Sequence, residues 1–391
     1  MTNAIDNPPH DEPQRPADEH PVQPPADQPQ PSPAEPSVAA EQRAARPAML
    51  ELTLEELRAA AAAAGSKPYR AEQLADWVYR KGVTDAAAMT NLSASFVESF
   101  DILASRVVAR SDSTDGTIKL LVELADGEHV ETVLIPAEDR ATACLSTQAG
   151  CAMGCRFCAS TIGGLRRNLA AGEILQQLLH LRTAGGRRIT NVVFMGMGEP
   201  LANYDATLAA IHAIVDPERF GISARHVTVS TLGLPAKIRR LAREELPITL
   251  AISLHAPNDA LRRELIPAAA ATTIEEIVAA AEKFFQACRR EVTLEYLLLG
   301  GVNDSSVCAD GLARIAKRLR CNVNLIRYNP VEGLPYGPPS QAKVRAFADR
   351  LHKAGVNAHI RQPRGLDASA ACGQLRRRAS QPDATATEAA E

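Results

Sequence analysis

The chain has 391 residues, 46% of them hydrophobic and 23% charged, enough for one large domain and a small accessory one. No stretch approaches the roughly 18 consecutive apolar residues of a membrane span, and the N-terminus lacks the basic start and apolar run of a secretory signal, so a cytoplasmic chain without a membrane partner is expected. Eight cysteines at this length argue for a metal or redox role in a reducing compartment and against a disulfide scaffold.

Charge is unevenly spread. Before Ala48 lie 12 of the 26 prolines, eight acidic residues and three arginines, with almost no large apolar side chain. Such a segment cannot bury enough surface to offset its ordering entropy. Residues 1–48 are therefore expected to be a disordered acidic tail, and residues 379–391 a second one. The tails carry −5 and −3, so the net −3 of the chain conceals +5 between them. That balance permits a nucleic-acid partner and equally fits an ordinary solvated surface.

Residues 49–103 read as a small helical accessory domain. LTLEELRAAAAAAG predicts a helix ended by Gly65, with Thr53 and Glu56 as a capping box. PYRAEQLADWVYRKG predicts a second, ended by Gly82, and MTNLSASFVESF a short third. Tyr69, Arg70, Trp77, Arg80 and Lys81 mix basic and aromatic residues there. This suits an RNA loop and equally a packed helix with solvated charges. Residues 104–140 predict a β-hairpin extension that turns through Asp126-Gly127. From Ala141 strands and helices alternate. The strands are ATACLSTQ, NVVFMGM, HVTVSTL, ITLAISLH, EVTLEYLLL and NVNLIRY; AGEILQQLLHLRTA, EEIVAAAEKFFQACR and SQAKVRAFADRLHKAG are among the helices. Six apolar strands separated by helices imply a parallel α/β sheet. The segment VNAHIRQPRGLDASAACGQL then leads out to the C-terminus, where Arg376, Arg377 and Arg378 read as a plain basic run.

Cys151-Ala-Met-Gly-Cys155-Arg-Phe-Cys158 carries the strongest chemical signal. Three thiolates with no fourth nearby fit a cubane iron–sulfur cluster with one open iron better than a closed four-ligand zinc site. Gly154 and Ala152 let the loop wrap tightly, and Phe157 can shield one side. Met197-Gly198-Glu199-Pro200 follows the second strand: glycine permits close approach and a carboxylate can pair with an ammonium. By themselves these four residues mark only a turn. Ser230, the Ser253-Leu254-His255 run and Asn329 end later strands. His255 is as readily a packed histidine, and Asn329-Pro330 a turn.

This spacing resembles the radical S-adenosylmethionine (SAM) superfamily. The resemblance implies a (β/α)6 partial barrel over residues 141–378 with its chemistry at the C-terminal strand ends. It implies one [4Fe-4S] cluster on Cys151, Cys155 and Cys158. Gly198, Glu199, Ser230, Ser253, Leu254, His255 and Asn329 would bind SAM. Two further cysteines narrow the family. Cys144 lies on the first barrel strand, and Cys372 lies between small residues near the C-terminus, where a lone cysteine is usually inert. With ETVLIP, LSTQAGCAMGCRFCAS, FMGMGEPLANY, ISLHAPND, GVND, YNP and AACGQL, the chain from about residue 51 to 376 resembles the RlmN-type adenosine C2 methyltransferases of 23S rRNA and tRNA. Leu232 departs from the pattern, where a small polar residue is expected.

The resemblance implies a methyl relay that consumes two SAM molecules per turnover. One methylates Cys372; the second yields a 5′-deoxyadenosyl radical that takes hydrogen from that methyl group. The carbon radical adds to C2 of an adenine. Glu131 accepts a proton, and Cys144 forms a transient disulfide with Cys372 that frees the product. Taken alone, Glu131 is an exposed hairpin carboxylate. Adenine C2 is not nucleophilic, so ordinary methyl transfer from SAM does not reach it, and a cofactor radical must do the hard step. The target base must leave its stack and enter the barrel mouth. An electron donor such as flavodoxin and a monomeric state are further implications. Two rivals share features: an adenine C8 methyltransferase of the antibiotic-resistance type, and a non-catalytic metal-bound RNA-binding module. Cys288, Cys308 and Cys321 are read as packed or incidental.

Overall fold

A computed structural model describes residues 46–375. The expected disorder of the two ends, apart from residues 46–48, and the Arg376–Arg378 run lie outside the described residues.

The N-terminal helices form as their sequence dictates. In α1 (Leu54–Ala63) the Thr53 hydroxyl accepts from the Glu56 amide at 3.2 Å, and the Glu56 carboxylate accepts from the Thr53 amide at 2.8 Å. α2 (Tyr69–Ala75) continues into a π-helical turn over Asp76–Lys81 and stops at Gly82, whose φ of +73° suits glycine. The short α3 (Ala94–Val97) follows. This unit packs on the rest of the chain: Arg219 donates to the Leu50 carbonyl and the Tyr79 hydroxyl.

Three antiparallel strands come next: β1 (Arg106–Asp112), β2 (Ile118–Glu123) and β3 (His129–Pro136). β2 and β3 are the expected hairpin, with Gly127 at φ +84° in its turn. β1 is an addition; it is exposed along its whole length, so it carries no burial alternation to read. β3 pairs antiparallel with β4 (Ala141–Cys144), which makes the hairpin continuous with the main sheet. A separate ribbon, β5 (Gln148–Gly150) and β6 (Leu165–Asn168), holds the cysteine loop between its strands.

The main sheet then runs parallel from β4 through β7 (Asn191–Phe194), β8 (Val227–Thr231), β9 (Thr249–Ser253), β10 (Val292–Leu298), β11 (Cys321–Arg327) and β12 (Ala358–Arg361). All six expected strands are present. β12 is a seventh, four residues of mixed polarity that carry too little hydrophobic signal to be read as a strand. The sheet stays open, with β1 and β12 as its edges, and crossover helices such as α4 (Ala171–Gly185) connect its parallel strands. Among the described residues no helix is long and apolar enough to cross a membrane. Cys288 and Cys308 are buried and Cys321 partly so, all three free thiols.

Gly150 sets the entry to the cysteine loop. Its φ is +83°, and a Cβ there would meet the Gly164 carbonyl oxygen at 2.0 Å, a backbone atom that cannot rotate aside. Gly150→Ala is expected to cost more than the ~1–2 kcal/mol of a left-handed residue alone. The measurement is the Tm together with iron content after cluster reconstitution; wild-type values for both would refute the assignment.

Candidate active site

The C-terminal ends of the parallel strands surround a cavity of about 150 Å³. Cys151, Cys155 and Cys158 line one side. Gly198, Glu199, Ser230, Ser253 and His255 line the other, and Cys372 borders it. Residues from distant parts of the sequence thus share one cavity: Gly198, Glu199, Ser230, Ser253 and His255 lie at or just past the ends of strands of the main sheet, and the cysteine loop is carried to it by the β5–β6 ribbon.

The cysteine loop is docked by its backbone. The Arg156 amide donates to the Leu265 carbonyl at 3.0 Å, and the Thr161 hydroxyl donates to the Cys158 carbonyl at 2.8 Å. Gly154 adopts φ +67° against Pro267. Phe157 is buried edge-on against the His255 ring, centroids 5.1 Å apart. Burial pushes the Cys151 thiol up to about 11 and raises Cys155 and Cys158 as well; Cys158 adds to the effect on Cys151 and Cys155, Cys151 to that on Cys155, and Cys372 to that on Cys158. Ligation requires thiolates, so filling this site releases protons. Among the described residues no three His, Cys, Asp or Glu side chains converge closely enough to hold a single ion. Three soft thiols spread around one cavity fit a multi-iron cluster better than zinc.

Glu199 is the polar hub. Its carboxylate is fully buried and accepts from the Leu201 amide at 3.0 Å and the Leu232 amide at 2.8 Å. Burial nevertheless raises its carboxyl above the usual range. The Leu232 contact uses the backbone N–H, which explains why leucine is acceptable at that position. Gly198 lies so close to Gln148 that a Cβ would meet its backbone nitrogen at 2.9 Å. The Ser230 and Ser253 hydroxyls are 3.4 Å apart. His255 sits at φ +57°, and its Nδ1 accepts from the Leu297 amide at 3.1 Å. Burial pushes its imidazole down to about 3, so it is neutral at physiological pH. Leu254 is buried behind this wall and does not line the cavity; Asn329 lines an adjoining cavity instead.

Cys144 and Cys372 are both free thiols, so the anticipated disulfide is not formed. Burial first and Cys372 second push the Cys144 thiol up to about 12, while Arg361 acts in the opposite sense. Arg361, on β12, is held charged chiefly by Cys372, then by Glu295 and Cys144. Sequence reasoning missed Arg361 and Glu295. Arg361 belongs to the strand that went unread. Glu295 did leave a signal, a carboxylate inside the apolar run EVTLEYLLL. Its Oε2 is buried at the cavity without a hydrogen-bond partner, and such an atom calls for a polar ligand or water.

Glu131 is not the exposed carboxylate that its hairpin position suggests. It is buried and paired with Lys119 at 3.0 Å. The pair borders a small cavity with Ser369 and Gln374, on either side of Cys372 in the chain. On the helical unit, Lys81 stands over the Trp77 ring at 3.8 Å and Arg70 over Tyr69 at 5.2 Å, while Arg80 is spent on the Pro217 carbonyl.

A parallel α/β sheet with a three-cysteine loop and a glycine–glutamate turn at its strand ends defines a radical SAM enzyme that uses a [4Fe-4S] cluster and SAM. The profile of the radical SAM superfamily matches residues 145–309, and that of the ribosomal RNA large subunit methyltransferase N-terminal domain matches residues 48–104. The chain is 46% identical over 324 residues to a probable dual-specificity RNA methyltransferase RlmN of Thermosynechococcus vestitus, covering 82% of this chain and 96% of that one. It is 44% identical over 343 residues to the protein of the same description from Rhodopirellula baltica, covering 86% and 92%. A crystal structure of a radical SAM methyltransferase from Sphaerobacter thermophilus superposes with a TM-score of 0.82 at 44% identity, over 84% of this chain and 99% of that one. The chain belongs to the RlmN family of radical SAM RNA methyltransferases.

The segment bearing Cys372 is strapped down. Asp367 accepts from the Ser113 hydroxyl and, at 2.9 Å, from the Thr114 amide, which hold its carboxyl down to about 2. A folded-state value below the unfolded one means this contribution is complete above about pH 4 and is lost as pH falls through about 2. Asp367→Ala is expected to raise amide exchange across residues 365–375 at neutral pH while α4 stays protected. Equal protection in variant and wild type would assign the strap to its other bonds.

Proposed function

We propose that this chain methylates C2 of an adenosine in the peptidyl transferase centre of 23S rRNA and of the adenosine next to the anticodon in tRNAs, through a methyl-cysteine at Cys372. The observation that carries this reading is that Cys372 borders the cavity lined by the three-cysteine loop while its charge reaches the buried Cys144, far away in sequence. A generic radical SAM enzyme would have no use for that pair.

In this reading Cys151, Cys155 and Cys158 hold the cluster. It supplies, when bound, the electron that splits SAM into methionine and a 5′-deoxyadenosyl radical. Glu199 receives the SAM ammonium, an interaction that favours its ionised form against the burial that opposes it. Gly198 lets the ligand approach, Ser230 and Ser253 bind its carboxylate and ribose, and His255 shapes the wall with Leu254 packed behind it, while Asn329, expected to meet the adenine of SAM, faces the outer cavity instead. Cys372 accepts the methyl group, gives up one of its hydrogen atoms to the 5′-deoxyadenosyl radical and carries the carbon that joins C2. The adduct gives back the single electron supplied at the start, and Glu131, held by Lys119, takes the C2 proton. Cys144 then attacks the Cys372 sulfur: a disulfide forms, the bond from sulfur to carbon breaks, and the departing carbon takes up a proton to become the methyl group of the released base. Once methylated, Cys372 bears no negative charge, and one of the influences that keep Cys144 protonated is gone.

The helical unit at 49–103 serves as an RNA-binding accessory domain in this reading, with 104–140 as a hairpin extension, 141–378 as the catalytic core and the two acidic ends as disordered tails. The protein works as a cytoplasmic monomer fed by a flavodoxin-type electron donor.

Peptide mass spectrometry after anaerobic reconstitution with SAM and reductant is expected to find a methyl group on Cys372. An unmodified Cys372 in protein that cleaves SAM would sink the relay. Nucleoside chromatography of the RNA product is expected to give 2-methyladenosine; 8-methyladenosine would transfer the chain to the C8 class. Glu199→Gln is expected to weaken SAM binding ~10- to 100-fold, the loss of one charged hydrogen bond of about 1.5–3 kcal/mol. Calorimetric titration that returned an unchanged Kd would remove Glu199 from the SAM site.

A further inference from the structure

A second cavity, of about 300 Å³, adjoins the first, and Cys372, Arg361 and Ile326 line both. The segment that bears Cys372 therefore separates a cofactor side from an outer side. The outer cavity is lined by four arginines, Arg140, Arg327, Arg361 and Arg364, and by no carboxylate. They come from four places in the sequence: the connection before β4, the end of β11, the end of β12 and the loop after it. Arg361 is partly buried near the floor, and the other three are exposed at the rim.

These rim cations are poorly neutralised within the protein. Arg140 has no hydrogen bond or ion pair from its side chain among the described residues. Arg327 uses its Nε on the Pro339 carbonyl at 2.9 Å, which leaves its charge uncompensated. Arg364 reaches the Asp115 carboxylate only at 3.8 Å. Like charges gathered around one concavity repel each other unless an anion sits among them. Arginine is suited to phosphate because its planar fork binds two oxygens at once. The inner wall differs: Ile326, Pro363, Ala370 and Ala371 offer an apolar surface beside the Cys372 sulfur. An apolar wall under a cationic rim matches a nucleotide whose base points inward and whose flanking phosphates stay outside.

We propose that Arg140, Arg327 and Arg364 form a phosphate-binding rim that grips the RNA backbone on either side of the unstacked target nucleotide. The inference rests on the RNA methyltransferase reading and assigns the substrate to this cavity. The rim positions the target through sequence-independent contacts and leaves base choice to the inner wall. Only a single-stranded loop or an extruded nucleotide can present its base inward and two phosphates outward at one concavity.

The test is binding of a fluorescent RNA stem-loop with adenines in its loop to the reconstituted full chain, followed by anisotropy across a salt series. Each of Arg140→Gln, Arg327→Gln and Arg364→Gln is expected to weaken binding several-fold and to reduce the slope of log K against log salt by about 0.7. Arg318→Gln is the control. That residue lies beyond the helix Ser306–Ala316, near the start of β11 and so at the opposite end of the strands, and is paired with Glu275 at 2.6 Å. It is expected to leave affinity and slope unchanged. Wild-type slopes in the three rim variants, or an equal loss in the control, would overturn the proposal. Methylation of Cys372 in wild-type protein without RNA tests the relay separately, so failure of the rim and failure of the proposed reaction are told apart.

Discussion

Cys372 can act only where it is held, and the segment around it is held by hydrogen bonds from three separate parts of the chain. The loop before β2 grips Asp367 and Gly365, Gly365 through the Asp115 carboxylate at 3.1 Å. The cysteine-loop side contributes the Ala159 amide to the Gly373 carbonyl at 2.8 Å and the Ser160 hydroxyl to the Leu375 carbonyl at 2.6 Å. Gln374 reaches the Pro330 carbonyl after β11 at 3.1 Å. A segment without regular structure is thereby placed between two cavities. Ser369, at φ +48°, and Gly365 and Gly373, both at positive φ, supply the turns that let so short a stretch meet all three anchors.

The same arrangement sorts charge. On the cofactor side, burial keeps thiols and the Glu199 carboxyl toward their neutral forms and His255 neutral outright. Each of these groups gains from a ligand that supplies the missing counter-charge, a metal for the thiols and an ammonium for Glu199. On the outer side the arginines are already charged and want an anion. Arg361 stands between the two, between a carboxylate and two cysteines. Lys119 does similar work for Glu131: a buried ion pair left with one partner is costly, so each residue fixes the other, and Lys119 also donates to the Ser369 carbonyl beside Cys372.

Much of this was legible in the linear chain. The three-cysteine loop, the Gly198-Glu199 turn and the strand-end serines declare themselves because strand, turn and helix signals are local and the chemistry sits where strands end. The capping box at Thr53 and the glycine stops at Gly65 and Gly82 are local in the same sense. The strands β1 and β12 were not legible. One is exposed along its length and the other is four residues long, and both become strands only because a neighbour offers a free edge.

The sequence by itself determined the family, the parallel α/β sheet and the identity of the cysteines, since these depend on residue type, spacing and hydrophobic period. The tertiary structure alone decided how those residues meet. It buried Glu131 against Lys119 and set Arg361 beside Cys144 and Cys372. It put Asn329 in the outer cavity and gathered three poorly neutralised arginines around the mouth. None of these follows from spacing, because each is a contact between residues brought together only when the sheet twists and its strand ends converge.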